Sequence, residues 1–392
     1  MISGNMRQYS MFIALLLIMA ISHVLTNGLF LTARNLNNLF LQTGYVAVLA
    51  IGMVLVIICG HIDLSVGSMA AFCAAIAAYL NVRYGVGTFW VILIALAIGT
   101  AAGVVNGFIV AYGGVPAFIV TLASMMFFRG AVLAITSGNT IGPLSASFSA
   151  LGSGYLPDVV GRALGIEGFN LTAALLGVAL VAILVATQAS NRRKRQSYGF
   201  NVLPTQLFIA QVALLSLLVA FFVYSLASFR GMPYTVIIVS VFVVIYTFYS
   251  QRTKGGRSIY AVGGNAQAAE LSGIDVKRTT MMVFVSIGFL SAISGMLFAA
   301  RMSSASPSTG TAFEMEAIAA SYVGGVSAKG GIGTVVGALV GALVIASINN
   351  CMSLLSAPVW LQYMVKGTVL VIAVLLDIRT NRPTKFFGLR IK

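Results

Sequence analysis

The stretch Lys254–Thr280 reads K-G-G-R-S-I-Y-A-V-G-G-N-A-Q-A-A-E-L-S-G-I-D-V-K-R-T-T. It separates two strongly apolar blocks and carries Lys254, Arg257, Glu270, Asp275, Lys277 and Arg278. Charges spaced this closely belong in water, so the flanking blocks are separate membrane crossings joined by a solvent-facing loop. The loop interior reads as one short helix. Asn265 can cap its start, Ala266, Gln267, Ala268, Ala269, Glu270 and Leu271 are good helix formers, and Gly273 followed by Ile274 supplies the stop. The two small alanines beside Leu271 leave a smooth face that suits a groove on another protein. An ordinary loop helix is the plainer alternative.

Composition generalises this pattern to the whole chain. Hydrophobic residues make up 59% of the 392 and charged residues 8%, outside the range of a soluble globular domain. The expected fold is an all-α polytopic membrane protein of about 10–12 transmembrane helices, some short and broken, because each crossing needs about 20 helical residues. The net charge of +15 does not imply nucleic acid, since the basic residues flank apolar spans rather than cluster on a soluble domain. The run Arg192, Arg193, Lys194, Arg195 and the tail residues Arg379, Arg382, Lys385, Arg390 and Lys392 place both termini and the 254–280 loop on the cytoplasmic side. Cys59, Cys73 and Cys351 lie in apolar segments without ligand spacing, so no metal site is expected.

Three blocks organise the chain. Residues 1–135 form a first transmembrane repeat, 136–232 an external loop followed by an inserted helix pair, and 233–392 a second repeat that contains the 254–280 loop. The repeat shows in local matches: F-R-G-A-V-L (Phe128 to Leu133) with V-K-G-T-V-L (Val365 to Leu370), A-I-A-A at Ala75 and Ala317, and G-V-G-T at Gly85 with G-I-G-T at Gly331. Five spans per copy is an odd number, so the copies have inverted orientation. Each copy contains one short segment next to a glycine-rich break, G-H-I-D-L-S-V-G-S (Gly60 to Ser68) in the first and G-G-V-S-A-K-G-G-I-G (Gly324 to Gly333) in the second. Such paired interruptions mark a translocation path, with His61, Asp63, Ser65, Ser68 and Gly331 as its candidate residues. Asp63 suits the cap of the helix that follows it or a place on a wet path. Arg129 and Lys366 occupy matched positions, where they can snorkel or pair with carboxylates. Glu314 and Glu316 are expected at the external end of the tenth segment, as a helix N-terminus or a receptor contact.

No phosphate-binding loop G-x-x-x-x-G-K-[ST], no H-E-x-x-H and no Cys pair with ligand spacing occurs, so no catalytic residue is assigned and no cofactor is expected in this chain. Ion-coupled secondary transport remains open, with Asp63, Arg129 and Lys366 as its ionisable groups. A structural or channel-like subunit is a third reading.

Taken together, G-H-I-D-L-S-V-G-S, P-A-F-I-V-T-L-A (Pro116 to Ala123), A-V-G-G-N-x-x-A-A-x-L-S-G-I (Ala261 to Ile274), E-x-E-A-I-A-A (Glu314 to Ala320) and the glycine run at 324–333 resemble the monosaccharide ABC permease family. The likeness runs along nearly the whole chain. The additional pair around Phe169 to Ala227 resembles the longer xylose and multiple-monosaccharide branches, and His61 within G-H-I-D-L-S resembles the latter. The resemblance implies a permease of the bacterial inner membrane. It implies a second permease chain as homodimer partner, a cytoplasmic ATPase using ATP and Mg, and a periplasmic sugar-binding protein. It also implies that Asn265, Ala268, Ala269, Glu270, Leu271, Gly273 and Ile274 form the ATPase contact.

Overall fold

The structure is a computed structural model that describes residues 2–166, 168–200 and 202–380. The tail residues Arg382, Lys385, Arg390 and Lys392 lie outside the described residues. Sixteen helices account for the described chain, with two isolated bridges, Ile141 with Ala305 and Tyr155 with Pro233. Among the described residues nine helices are long and apolar enough to cross a membrane, and Met11–Leu25 and Val359–Leu375 are shorter apolar segments. The chain is therefore a multi-pass all-α membrane protein.

The first five long helices are α1 (Ile2–Leu25), α2 (Ala33–Ile58), α3 (Val66–Arg83), α4 (Thr88–Ala111) and α5 (Ala117–Thr136). Helices α6 (Ala146–Ser153) and α7 (Val159–Leu164) structure the 136–168 loop, and α8 (Leu171–Ser197) and α9 (Thr205–Ala227) form the inserted pair. The remainder is α10 (Tyr234–Arg252), α11 (Lys254–Gly264), α12 (Ala266–Leu271), α13 (Val276–Met302), α14 (Phe313–Val323), α15 (Val335–Leu354) and α16 (Val359–Thr380).

Helix α2 is the centre of the bundle. From Val46 to Cys59 nearly every residue is buried whichever way it faces, the mark of a helix surrounded by protein on all sides. Its neighbours are α13, α15, α14 and α10. The second central helix, α13, packs on α4, α2 and α3. Lipid gives little hydrophobic drive to helix association, so small residues set these contacts. Gly99, Gly103 and Gly107 recur every fourth residue on α4 and lie directly against the α13 backbone from Met281 to Gly288, with Ala292 beside Gly99. Gly341 of α15 sits equally close to the Ala320 carbonyl of α14. Asn35 and Asn350 exchange hydrogen bonds of 2.8 and 3.1 Å inside the α2–α15 contact.

Packing partners exchange between the halves. Helix α13 packs on α3 and α4 while α2 packs on α14 and α15, and the pair α3–α5 has its counterpart in α14–α16. The inserted α8 and α9 pack on each other, and α9 reaches α2. Arg192 closes the α8–α9 turn by donating to the Leu203 carbonyl at 2.7 Å and lying over the Phe208 ring.

Two departures from the sequence expectation bear on function. The segment Lys254–Gly264, with glycine at 255, 256, 263 and 264, folds as a second loop helix where one helix was expected. Propensity disfavours glycine in a helix, but here close packing overrides it. A side chain at Gly256 would overlap the Tyr249 and Ser250 carbonyls, and one at Gly263 would overlap the Ile58 carbonyl. Glu314 and Glu316 lie at the N-terminus of their helix, as one of the two expected roles has it, but not at an external end of the segment. They are buried inside the bundle in the first turn of α14, 8% and 6% exposed.

Candidate functional site: two broken helices and a loop platform

Helix α14 has 11 residues and so rises about 16 Å, half of a bilayer's hydrocarbon core. The rest of that crossing is the non-helical segment Ser303 to Ala312. It starts level with the 136–168 loop, where Ala305 bridges Ile141 and the Leu144 N–H donates to Ser303, and then turns inward. After α14 the chain emerges on the opposite face, where the Gly331 N–H donates to the Ile58 carbonyl at 2.8 Å. The connection Cys59 to Ser65 enters from that second face and turns into α3. Segments 303–312 and 59–65 thus approach from opposite faces and meet inside the bundle. At the meeting point Gly67 and Gly310 touch backbone to backbone, and a side chain on either would strike the other's carbonyl. Non-helical backbone is tolerated at such depth where protein encloses it.

Buried polar side chains fix both breaks. Asp63 Oδ1 accepts from the Ser65 N–H at 2.8 Å and from its hydroxyl at 2.6 Å, satisfying a donor at the entry to α3. Ser65 Oγ in turn accepts from Asn106 Nδ2 of α4 at 3.2 Å, and Asn106 Oδ1 accepts from Ser124 of α5 at 2.6 Å. Ser68 Oγ donates to the Ser65 carbonyl at 2.9 Å. Asp63, Ser65 and Ser68 are all fully buried. Replacing Asn106 with alanine strips partners from both Ser65 and Ser124, and is expected to cost about 1–3 kcal/mol. Thermal melting of the detergent-solubilised protein measures this, and an unchanged melting temperature would remove the network's structural role.

On the second break, Arg129 of α5 donates to the carbonyls of Thr309 and Gly310 at 2.8 and 2.7 Å. Lys366 of α16 pairs with Glu316 at 2.6 Å, Asn349 donates to the same carboxylate oxygen at 3.2 Å, and Tyr45 donates to the other at 3.1 Å. Matched in sequence, Arg129 and Lys366 both brace the α14 break, one through backbone carbonyls and the other through a carboxylate.

Below the breaks lies the loop platform. Helix α11 buries Ile259 and Val262 against the core, and Tyr260 donates to the Gly333 carbonyl at 2.9 Å. Asn265 caps α12 by accepting from the Ala268 N–H at 3.0 Å, and Gly273 adopts φ +81° after it. Ala268, Glu270 and Leu271 face solvent, Leu271 being 91% exposed. Ala269 is buried and Ile274 half-buried, so these two anchor the helix and do not belong to its outer face. Sequence reasoning missed α11 and, with it, the link that joins α12 to α2.

The expected path residues divide between the two places. Asp63, Ser65 and Ser68 sit at the first break. His61 instead lines a cleft of about 360 Å³ together with Cys59, Val110, Val262, Lys277 and Thr280. Gly331 packs against Gly264 and Ile58 on the platform, away from the crossing. Asn106, Tyr45 and Asn349 had no sequence signal of their own beyond being polar residues in apolar helices.

The family described as the branched-chain amino acid transport system permease component matches residues 35–374. The chain is 41% identical over 375 residues to the xylose transport system permease protein of Haemophilus influenzae, covering 96% of this chain and 97% of that one. It is 40% identical over 380 residues to the xylose transport system permease protein of Escherichia coli strain K12, covering 97% and 94%. Identity to the ribose import permease protein of Haemophilus influenzae is 34% over 373 residues, covering 93% and 91%. No solved structure matches. With the fold, the paired breaks and the loop platform in place, these likenesses identify the chain as a member of the ribose/xylose type of monosaccharide ABC transporter permeases.

Proposed function

We propose that two copies of this chain line the membrane path of an ATP-driven importer of monosaccharides in a bacterial inner membrane, with both termini cytoplasmic. The sugar belongs to the xylose, glucose, galactose or arabinose class. A separate ATPase, using ATP and Mg, docks on the outer face of α12, and a periplasmic binding protein delivers sugar to the opposite side. The observation that carries the reading is the platform. A capped six-residue helix presents Leu271 to solvent while its inner side, through Ala269 and α11, is joined to the end of the central helix α2. An exposed apolar anchor on a rigid mount suits a partner's groove. A push on α12 would reach Ile58 and thence the breaks on either side of α3 and α14. Transmission of that kind needs a bistable element, and we take the Gly67–Gly310 crossing as that element.

Ala268→Arg adds a long cation to the outer face alone. Membranes carrying it are expected to lose the copurifying ATPase and its hydrolysis while the permease itself remains present at wild-type level. If no ATPase copurifies with the unaltered chain and sugar uptake persists, the importer reading gives way to ion-coupled transport, for which Asp63→Asn is expected to abolish coupling. Ala269→Arg, by contrast, forces a charge into the core, and lower permease yield is expected in membranes as measured by immunoblot.

A further inference from the structure

We infer that Glu314 and Arg129 recognise the transported sugar at the Gly67–Gly310 crossing. The inference rests on the importer reading in taking the crossing as the path. Glu314 and Glu316 lie two residues apart in one helix and have opposite surroundings. Both oxygens of Glu316 are occupied, by Lys366, Asn349 and Tyr45. Glu314 is as deeply buried, yet its Oε2 has no hydrogen-bond partner and rests against Gly67 in the first turn of α3. Leaving a buried carboxylate oxygen unpaired is costly, so its placement calls for a partner. The oxygen is aimed at the place where the two broken helices present the amide ends of their first turns to each other, an arrangement that serves substrate binding in membrane carriers built from inverted repeats.

Arg129 completes the set. Its guanidinium is fixed by the Thr309 and Gly310 carbonyls, on the segment that runs into Glu314, and it lies near enough to act electrostatically on that carboxylate. A sugar ring presents adjacent hydroxyls, each both donor and acceptor. A carboxylate accepts from two of them, and a guanidinium donates to a ring or hydroxyl oxygen. The crossing is closed in this structure, so recognition requires α3 and α14 to part, with sugar hydroxyls taking up the free Glu314 oxygen as they do. The carboxylate of Glu316 is occupied throughout, which excludes it as the primary contact. Asp63 also has an unpaired Oδ2, but its Oδ1 is committed to the Ser65 N–H and hydroxyl at the entry to α3, and among the described residues no fixed guanidinium lies beside it, so Glu314 with Arg129 makes the fuller recognition pair.

The test uses the complete transporter in proteoliposomes, with its ATPase and binding protein, and reads sugar uptake and ATP hydrolysis together. The substrates are the cognate sugar and its monodeoxy analogues. Glu314→Gln is expected to keep hydrolysis stimulated by loaded binding protein within about twofold while sugar delivered per ATP falls about tenfold, the scale on which hydrogen-bonding sites discriminate. For at least one deoxy analogue the loss should shrink towards none, because the hydroxyl that Glu314 accepts from is already missing. Arg129→Lys should behave alike with a different analogue. Unchanged sugar per ATP in both variants overturns the inference, as does a parallel fall of hydrolysis and uptake that is the same for every analogue, which is the signature of a structural role. Uptake by the unaltered transporter without stimulated hydrolysis would overturn the importer reading alone. The inference would then stand or fall on whether Glu314→Gln lowers uptake of the sugar more than of its analogues.

Discussion

Alanine at position 263 is expected to uncouple ATP hydrolysis from transport, whereas alanine at the adjacent position 264 should leave both unchanged. A methyl group on Gly263 would overlap the Ile58 carbonyl oxygen, whereas one on Gly264 meets nothing within 4 Å. Ile58 ends the most enclosed helix of the bundle and its carbonyl also accepts from Gly331, so it has no room to retreat. The strain therefore falls on α11, which must lift away from α2. Overpacking of this kind costs about 1–3 kcal/mol, and more where both sides are backbone. At the upper end of that range, a step that depends on the α11–α2 contact slows by about a hundredfold. With the ATPase docked on the outer face of α12 as proposed, hydrolysis should persist. The measurement is uptake per ATP in proteoliposomes for the two alanine variants. Equal ratios would mean that α12 does not transmit through α2. The adjacent glycine makes a stringent control, as it shares helix position, propensity cost and sequence context.

How much of this could be read in the sequence depends on what each signal reports. The membrane class and the crossings were legible because apolar length is sufficient evidence for a span. Which spans form the core was not legible from hydropathy. Mean hydropathy is 2.3 for the largely buried window in α2 and 2.2 for the largely exposed one in α8, since lipid and protein interior select alike for apolar side chains. The distinguishing mark lies in small residues at four-residue spacing, Gly99, Gly103 and Gly107 above all, which call for a partner backbone and found it in α13. The break at 60–68 could be placed from glycine and polar content, whereas the second break, expected at 324–333, lies at 303–312, and the 324–333 run instead packs on the platform. The meeting of 59–65 with 303–312 inside the bundle could not be read, because it joins two segments more than two hundred residues apart. For the same reason Glu314 and Glu316 read as rim residues. Acidic side chains beside a Ser/Thr-rich stretch ordinarily mark an aqueous end, and only the inward turn of that stretch carries them to the centre. The platform helix α11 was missed because its four glycines are unfavourable in isolation, while three of them, Gly255, Gly256 and Gly263, are the condition for seating it against Tyr249, Ser250 and Ile58.

Removing the positive charge at position 366 should destabilise the protein more than removing the ion pair altogether. Lys366→Met takes away the cation that neutralises Glu316 and leaves a carboxylate 6% exposed, supported only by the hydrogen bonds from Asn349 and Tyr45. Breaking a buried pair from one side costs about 3–5 kcal/mol, because the remaining charge keeps its desolvation penalty and loses its compensation. Some of that is recovered here, since the lysine is 26% exposed and water can reach its end of the pair. Adding Glu316→Gln to Lys366→Met removes the orphaned charge. The amide keeps an acceptor for Tyr45 or Asn349, and the double variant is expected to melt above the single one. The consequence for transport differs from that for stability. Without the pair, α16 loses its charged tie to the first turn of α14, so the double variant should be stable and yet open the crossing too readily, visible as sugar leak in the absence of ATP. Thermal melting in detergent and passive sugar efflux from proteoliposomes separate the two effects. A double variant as unstable as Lys366→Met would show that the lysine acts through its packing. One that is stable and tight would show that the pair neutralises charge without restraining the helix that the path depends on.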